Sequence, residues 1–376
     1  MSGSRSQHVR RARAAAAVLA LLAAGCSTGE DLPASPVTSS TRPPDTATPT
    51  SAPPAPRPSS VTIALAGDIH FEGALADRLR DPATALAPAA VALEAADVAI
   101  VNLETSVGSG GRPEPGKRFT FSAGPAAFAA LAAAGIDVAS MANNHALDHG
   151  RARLPSTLRA ARSAAEADPP LAVIGLGRDL DEAFRPAVTD VDGTLVATVA
   201  ATVADRDPTA DRTGQWAATA DLGGTADALD PAHLLAAVQD ADRAADVVVA
   251  YLHWGVQGER CPSTDQRSLA GRLVAAGADV VVGTHAHELQ GDGRLGRGYV
   301  AYGLGNFAWY SPGPTGVLTL TVEPPRVPTG RARVVRSAWW PAAIGADGLA
   351  TRVRGEAAAR FAADREALRA CAGLTR

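Results

Sequence analysis

Two histidines one residue apart, His285 and His287 in "DVVVGTHAHELQG" (279–291), follow a run of valines. On an extended backbone, residues i and i+2 point to the same side, so two imidazoles leave the end of a strand together. That arrangement suits a transition-metal ion. Other residues able to bind metal or move protons close further apolar runs. They are Asp68-Ile69-His70 after "VTIALAG", Asn102-Leu103-Glu104 after "DVAIV", Asn143-Asn144-His145 with Asp148 after "IDVASMA", and His253 after "DVVVAYL". Of the 8 histidines, only His8, His149 and His233 fall elsewhere. Each motif alone has an ordinary reading as a helix cap, a turn or an aromatic contact. Together they contain the parts of a hydrolytic centre. Two divalent ions need a bridging carboxylate and a mixture of imidazole and oxygen donors, and a pair so held makes a water acidic and grips a phosphoryl or acyl group. A further histidine, oriented by a carboxylate, can then protonate the leaving group.

Elements must carry these residues to one place. The runs at 61–68, 97–104, 136–145, 171–177, 246–255, 279–287 and 299–307 read as strands. "PAAFAALAAAG" (125–135) reads as a helix ending on glycine. "STDQRSLAGRLVAAGA" (263–278) reads as a helix capped by Ser263, with Leu269, Leu273 and Ala276 on one face and Gly277 as the stop. The segment 187–200 alternates around Asp192-Gly193 and predicts a hairpin. "GVLTLTVE" and "RARVVRSAWW" suggest a further pair of strands, and "GEAAARFAADREALRACAGL" a last helix on the outside. Strands alternating with helices, then hairpins, predict a layered α/β domain with a mixed sheet or two packed sheets. Ligands in such sheets sit at the carboxyl ends of strands. The motifs run from Asp68 to Asn306 with no internal repeat, and converge most simply within one domain.

Composition sets the outer limits. The chain has 376 residues, 46% hydrophobic, with a formal net charge of −4, so a sizeable core is expected and nucleic-acid binding is not. Lys117 is its one lysine, which matches a general preference for arginine and alanine. Residues 1–25 have a basic front and a short apolar run, the proportions of a secretory signal. "LLAAGC" resembles a bacterial lipobox, with Cys26 as the residue to be lipidated. The stretch 26–60 is rich in Pro, Ser and Thr and reads as a tether. Stretched at about 3 Å per residue, it reaches on the order of 100 Å. An extracytoplasmic, membrane-anchored lipoprotein is therefore expected, with simple secretion as the alternative. In an oxidising compartment Cys261 and Cys371 are free to pair.

The motifs "GDIH", "VNLET", "ANNHALDHG", "HWG", "GADVVVGTHAH" and "YGLGNF" occur in an order and at intervals that resemble the CapA family of bacterial capsule and poly-γ-glutamate synthesis proteins, itself similar to calcineurin-like metallophosphatases. The resemblance runs from about residue 61 to 340. It implies a four-layer α/β/β/α sandwich over 61–350, followed by a C-terminal helix within 351–376. It also implies two divalent ions (manganese, iron or zinc). Carried over motif by motif, Asp68, His70 and His287 would hold one ion and Asn144, His253 and His285 the other, with Glu104 as the bridge. His145 would be the general acid and Asp148 its orienting carboxylate. Gln257 stands where the family usually has glutamate, and Ala286 where proline is common. Lys117 and Arg118 in "KRFTF", together with Gln257 and Asn306, are candidates for substrate contact. The implied function is capsule synthesis by a metal-dependent hydrolase or transferase. Its partners would be an anionic cell-surface polymer or phosphoester and membrane proteins of capsule synthesis or export. A secreted phosphoesterase and a non-enzymatic polymer-binding or export accessory protein are the alternatives.

Overall fold

Alternating apolar residues build two sheets whose inner faces meet. In the computed structural model, which describes residues 59–327 and 330–376, the Val61–Ile69 strand sends Ile63 and Leu65 toward the second sheet and Ala64 and Ala66 the other way. The first sheet runs in the order Ala350–Arg352, Arg333–Ile344, Gly313–Glu323, Val61–Ile69, Val98–Leu103, Val138–Ser140, Ala172–Ile174, with Asn306–Ala308 also paired to Val61–Ile69. The second runs Asp292–Leu295, Gly298–Ala301, Val280–His285, Val247–Trp254, Thr194–Thr202, Ala187–Val191. Between the sheets lie Ile63, Leu65, Ile100 and Val138 from the first and Val196, Val249 and Val282 from the second. Tyr251 ties the two together, its hydroxyl donating to the Ala66 carbonyl at 2.5 Å.

Helices cover both outer faces. Ala126–Ala133 and Leu154–Ala165 bury Phe128, Leu131, Leu154 and Leu158 against Ala64, Ala99 and Val101. Ala232–Ala244 and Thr264–Ala276 cover the second sheet with Leu234, Val238, Leu269 and Leu273. The result is an α/β/β/α sandwich. Thr264–Ala276 opens with a full capping box, Ser263 accepting from Gln266 N and the Gln266 side chain from Ser263 N. The hairpin turns on Asp192 and Gly193, both with positive φ (50° and 87°), the backbone a two-residue turn demands.

Two apolar runs divide instead of forming single strands: 171–177 splits at Gly175 into Ala172–Ile174 of the first sheet and Leu176–Gly177, which pairs with Gly224–Thr225. Within 299–307, Gly298–Ala301 belongs to the second sheet and Asn306–Ala308 to the first, and Gly305 (φ 62°) lies at the crossing. The last helix, Gly355–Ala372, packs Phe361 and Leu368 against Leu289 and Trp339, and Cys371 forms a disulfide with Cys261. The expected signal segment, Cys26 and nearly all of the tether lie outside the described residues. Among the described residues no helix is long and apolar enough to cross a membrane.

Candidate metal centre and proton-handling dyad

The central strands of each sheet are parallel, so their carboxyl ends face one rim. Asp68 lies within its strand near the end, Glu104 follows Leu103, Asn144 and His145 follow Val138–Ser140, and His253 and His285 lie at the ends of theirs. His285 and His287 both take positive φ (85° and 57°), which costs a non-glycine residue about 1–3 kcal/mol and is found where a site is held against strain. The His285 amide donates to Asp68 Oδ2 at 3.2 Å, part of what holds it there.

Two groups of donors form around Glu104. In one, His253 Nε2 lies 2.7 Å from Asn144 Oδ1, 3.1 Å from His285 Nδ1 and 3.5 Å from Glu104 Oε1. In the other, His287 Nδ1 lies 3.3 Å from Asp68 Oδ2, and its Nε2 lies 4.0 Å from Glu104 Oε1. Both Glu104–His253–His285 and Asp68–Glu104–His287 are compact enough to hold a metal ion. Glu104 is fully buried, and neither carboxylate oxygen has a hydrogen-bond partner. A buried carboxylate without hydrogen bonds is among the costlier groups a fold can carry.

The electrostatics point the same way. Burial, then the nearby Asp68, pushes the Glu104 carboxyl up to about 7. Burial lowers His287, but Glu104, Asp68 and Asn306 outweigh it and raise the imidazole to about 9. Asp68 and Glu104 thus draw in positive charge, supplied here by the His287 proton, which a bound divalent ion would replace, and the donor types fit an ion of the zinc, iron or manganese kind. Burial brings His253 down to about 3, which leaves it neutral, as a ligand must be.

Asn102 and Asn143 floor the site. The Asn102 amide donates to Asp68 Oδ1 at 2.8 Å and the Asn143 amide to Asn102 Oδ1 at 3.0 Å. Beside the clusters, His145 Nδ1 lies 2.6 Å from Asp148 Oδ2, while its Nε2 faces Glu104 Oε1 at 3.7 Å. The carboxylate accepts, so the ring proton sits on Nδ1 and the Nε2 lone pair faces the centre. Burial and then the Lys117 ammonium hold His145 well below the usual imidazole range.

The other candidates are placed differently. His70 lies among aromatics, 4.1 Å from Trp309, 4.8 Å from Tyr310 and 5.0 Å from Phe121 between ring centres. Its Nδ1 accepts from Glu72 N at 3.0 Å, which puts the ring proton on Nε2, a buried atom with no partner. His70 joins neither compact group. Asn306 Oδ1 lies 2.8 Å from His287 Nδ1 and so lines the site. The Gln257 backbone donates to Asp207 at 2.9 Å. Arg118 is largely exposed and already engaged by Asp211 and the Thr209 carbonyl.

Asp207 has no counterpart in the sequence reading. It is 2% exposed, and its Oδ2 lies 3.0 Å from His285 Nε2, on the side of the ring away from the cluster. A carboxylate there fixes the tautomer that leaves Nδ1 free to bind metal.

Comparison with known proteins places this geometry in a family. The sequence profile described as "Bacterial capsule synthesis protein PGA_cap" matches residues 62–311. A capsule biosynthesis protein CapA of Bacillus anthracis is 33% identical over 187 residues, 48% of this chain and 42% of that one. A PGA biosynthesis protein CapA of Bacillus subtilis is 32% identical over 174 residues, 46% of this chain and 42% of that one. The match thus spans less than half the length of these two relatives. A solved structure described as a novel phosphatase of Mycoplasma pneumoniae superposes with a TM-score of 0.44 at 12% identity, covering 76% of this chain and 94% of that one. Because the profile match takes in the whole second sheet, the central strands of the first and every residue of the two donor groups, the chain belongs to the PGA_cap family of bacterial capsule synthesis proteins.

Proposed function

We propose that the protein is an extracytoplasmic, metal-dependent hydrolase or transferase that acts on an anionic cell-surface polymer, poly-γ-glutamate being the one the relatives' names suggest. The observation that carries this reading is Glu104, which belongs to both donor groups and has no hydrogen-bond partner for either oxygen. In this reading Glu104 would serve two divalent ions. Asp68 and His287 complete one set, and Asn144, His253 and His285 the other. Ions held by these residues would supply Lewis acidity toward a phosphoryl or acyl oxygen and toward water.

The chain's own residues supply the rest. Asp148 fixes the His145 ring, so that Nε2 receives a proton at the cluster or returns it to a departing oxygen or nitrogen. Asn306 holds His287 in register, and Asn102 holds Asp68. Lipidation at Cys26 would keep the domain at the membrane on its 26–60 tether, beside the membrane proteins that make or export the polymer.

Metal analysis of the purified protein, with turnover of a chromogenic phosphodiester and chain-length analysis of poly-γ-glutamate, tests the proposal. His253→Ala and His285→Ala are each expected to lose bound metal while keeping the wild-type circular dichroism spectrum. Stoichiometric metal retained in both variants defeats the site assignment. Phosphodiester turnover without any effect on the polymer assigns a general phosphoesterase instead.

A further inference from the structure

Of the 35 lysine and arginine residues in the chain, one is lysine. Where any cation serves, this chain has arginine. Lys117 is also set apart by its position, since its side chain is 3% exposed. Its ammonium donates to Asp148 Oδ1 and to the Asn144 carbonyl, lies 3.4 Å from His145 Nδ1, and has the Trp216 ring face 4.8 Å away. Four residues on, Phe121 stacks on the His145 ring at 4.1 Å between centres, and its amide donates to Asp148 Oδ2 at 2.6 Å. One loop therefore grips the dyad twice.

We propose that Lys117 is a positioning residue for the His145–Asp148 dyad and that arginine cannot replace it. The inference rests on the reading of His145 as the proton-handling residue. An ammonium is a compact charge whose three N–H bonds diverge, so it reaches a carboxylate and a carbonyl on different segments at once. A guanidinium is flat, longer and presents its donors in one plane. With Oδ1 of Asp148 held by Lys117, Oδ2 is left for His145 Nδ1–H and the Phe121 amide. Releasing Oδ1 lets the carboxylate turn, and the imidazole loses its fixed tautomer.

The test compares Lys117→Arg and Lys117→Met with wild type, all as the full chain. Protein labelled with 15N in histidine reports the side-chain nitrogens of His145, assigned with His145→Gln, after EDTA treatment. Wild type should show one tautomer, with the proton on Nδ1. Both Lys117 variants should show the two nitrogens averaged, while circular dichroism and metal stoichiometry stay at wild-type values. On a chromogenic phosphodiester, kcat should fall about 100-fold, the low end of what acid–base catalysis contributes, with KM within about twofold. A wild-type tautomer in Lys117→Arg overturns the proposal, because any cation would then suffice. So does a wild-type tautomer in Lys117→Met, loss of metal from Lys117→Arg, or failure of Lys117→Arg to fold, since that variant keeps the charge. If wild type binds no metal and turns over no substrate, the functional reading fails, and the His145 spectra still decide the role of Lys117.

Discussion

Asp207 and His285 show how a side chain outside the ligand set governs one inside it. The imidazole has two nitrogens, and the one facing the cluster can accept a metal ion only if the other carries the proton. Asp207 secures that from 3.0 Å, and is itself fixed by the Gln257 and Thr209 amides at 2.9 and 2.7 Å. Asp207→Ala should lower metal affinity about 10–100-fold, with Asp207→Asn affected less because the amide oxygen still accepts. Competition with a calibrated chelator measures this, and equal affinity in the alanine variant removes Asp207 from the site. The pair His285 and His287 could be read from the sequence because its period matches that of a strand. Asp207 could not, since "ADRDPTADR" offers three similar aspartates and only distance in the fold selects one.

Among the elements, the strand ends explain why the motifs sit where they do, and apolar runs with clear boundaries announced most of them. The hairpin at Asp192-Gly193 and the capped helix after Ser263 follow from local chemistry alone. The run at 299–307 did not reveal its division, because an apolar stretch does not record which of two sheets its backbone will join. The C-terminal helix is held by a buried charge that its sequence does not announce. Asp292 accepts from Arg365 and from the Tyr299 hydroxyl at 2.5 Å, and Arg365 lies 4.5 Å from the Trp339 ring face. Burial raises the Asp292 carboxyl, but Arg365, Tyr299 and Arg369 outweigh it and keep it below its ordinary value of 3.8. A carboxyl depressed in the folded state contributes stability above its unfolded pKa and loses it as the pH falls through the folded one. Asp292→Asn should therefore cost about 3–5 kcal/mol at neutral pH, the cost of leaving a buried partner unpaired. The gap from wild type should narrow below the ordinary carboxylate value. Urea unfolding at pH 7 and below pH 4 reads both, and a gap independent of pH contradicts the assignment.

Across the whole molecule, two sheets fused along their inner faces bring strand ends from distant parts of the sequence to one rim, with the Tyr251–Ala66 bond crossing the seam. The order of the motifs made this convergence readable. The sheet order and the site's second layer were not, because both depend on contacts between segments far apart in the chain. The disulfide closes the structure from outside. Cys261 and Cys371 are 110 residues apart in sequence, and their Cα atoms lie 5.8 Å apart. Replacing both with serine should lower unfolding free energy by about 2–4 kcal/mol, through the greater freedom of the unfolded chain. Denaturant titration checks this, and an unchanged midpoint would show that the link bears no weight.

The solitary buried lysine has a practical consequence for anyone handling the protein. Reagents that acylate side-chain amines have one internal target, and it faces inward against Asp148 and the Asn144 carbonyl. An endoprotease specific for lysine likewise has one bond to cut, on the loop that clamps the dyad. The rate of that single cleavage is a clock for how often the loop lets go.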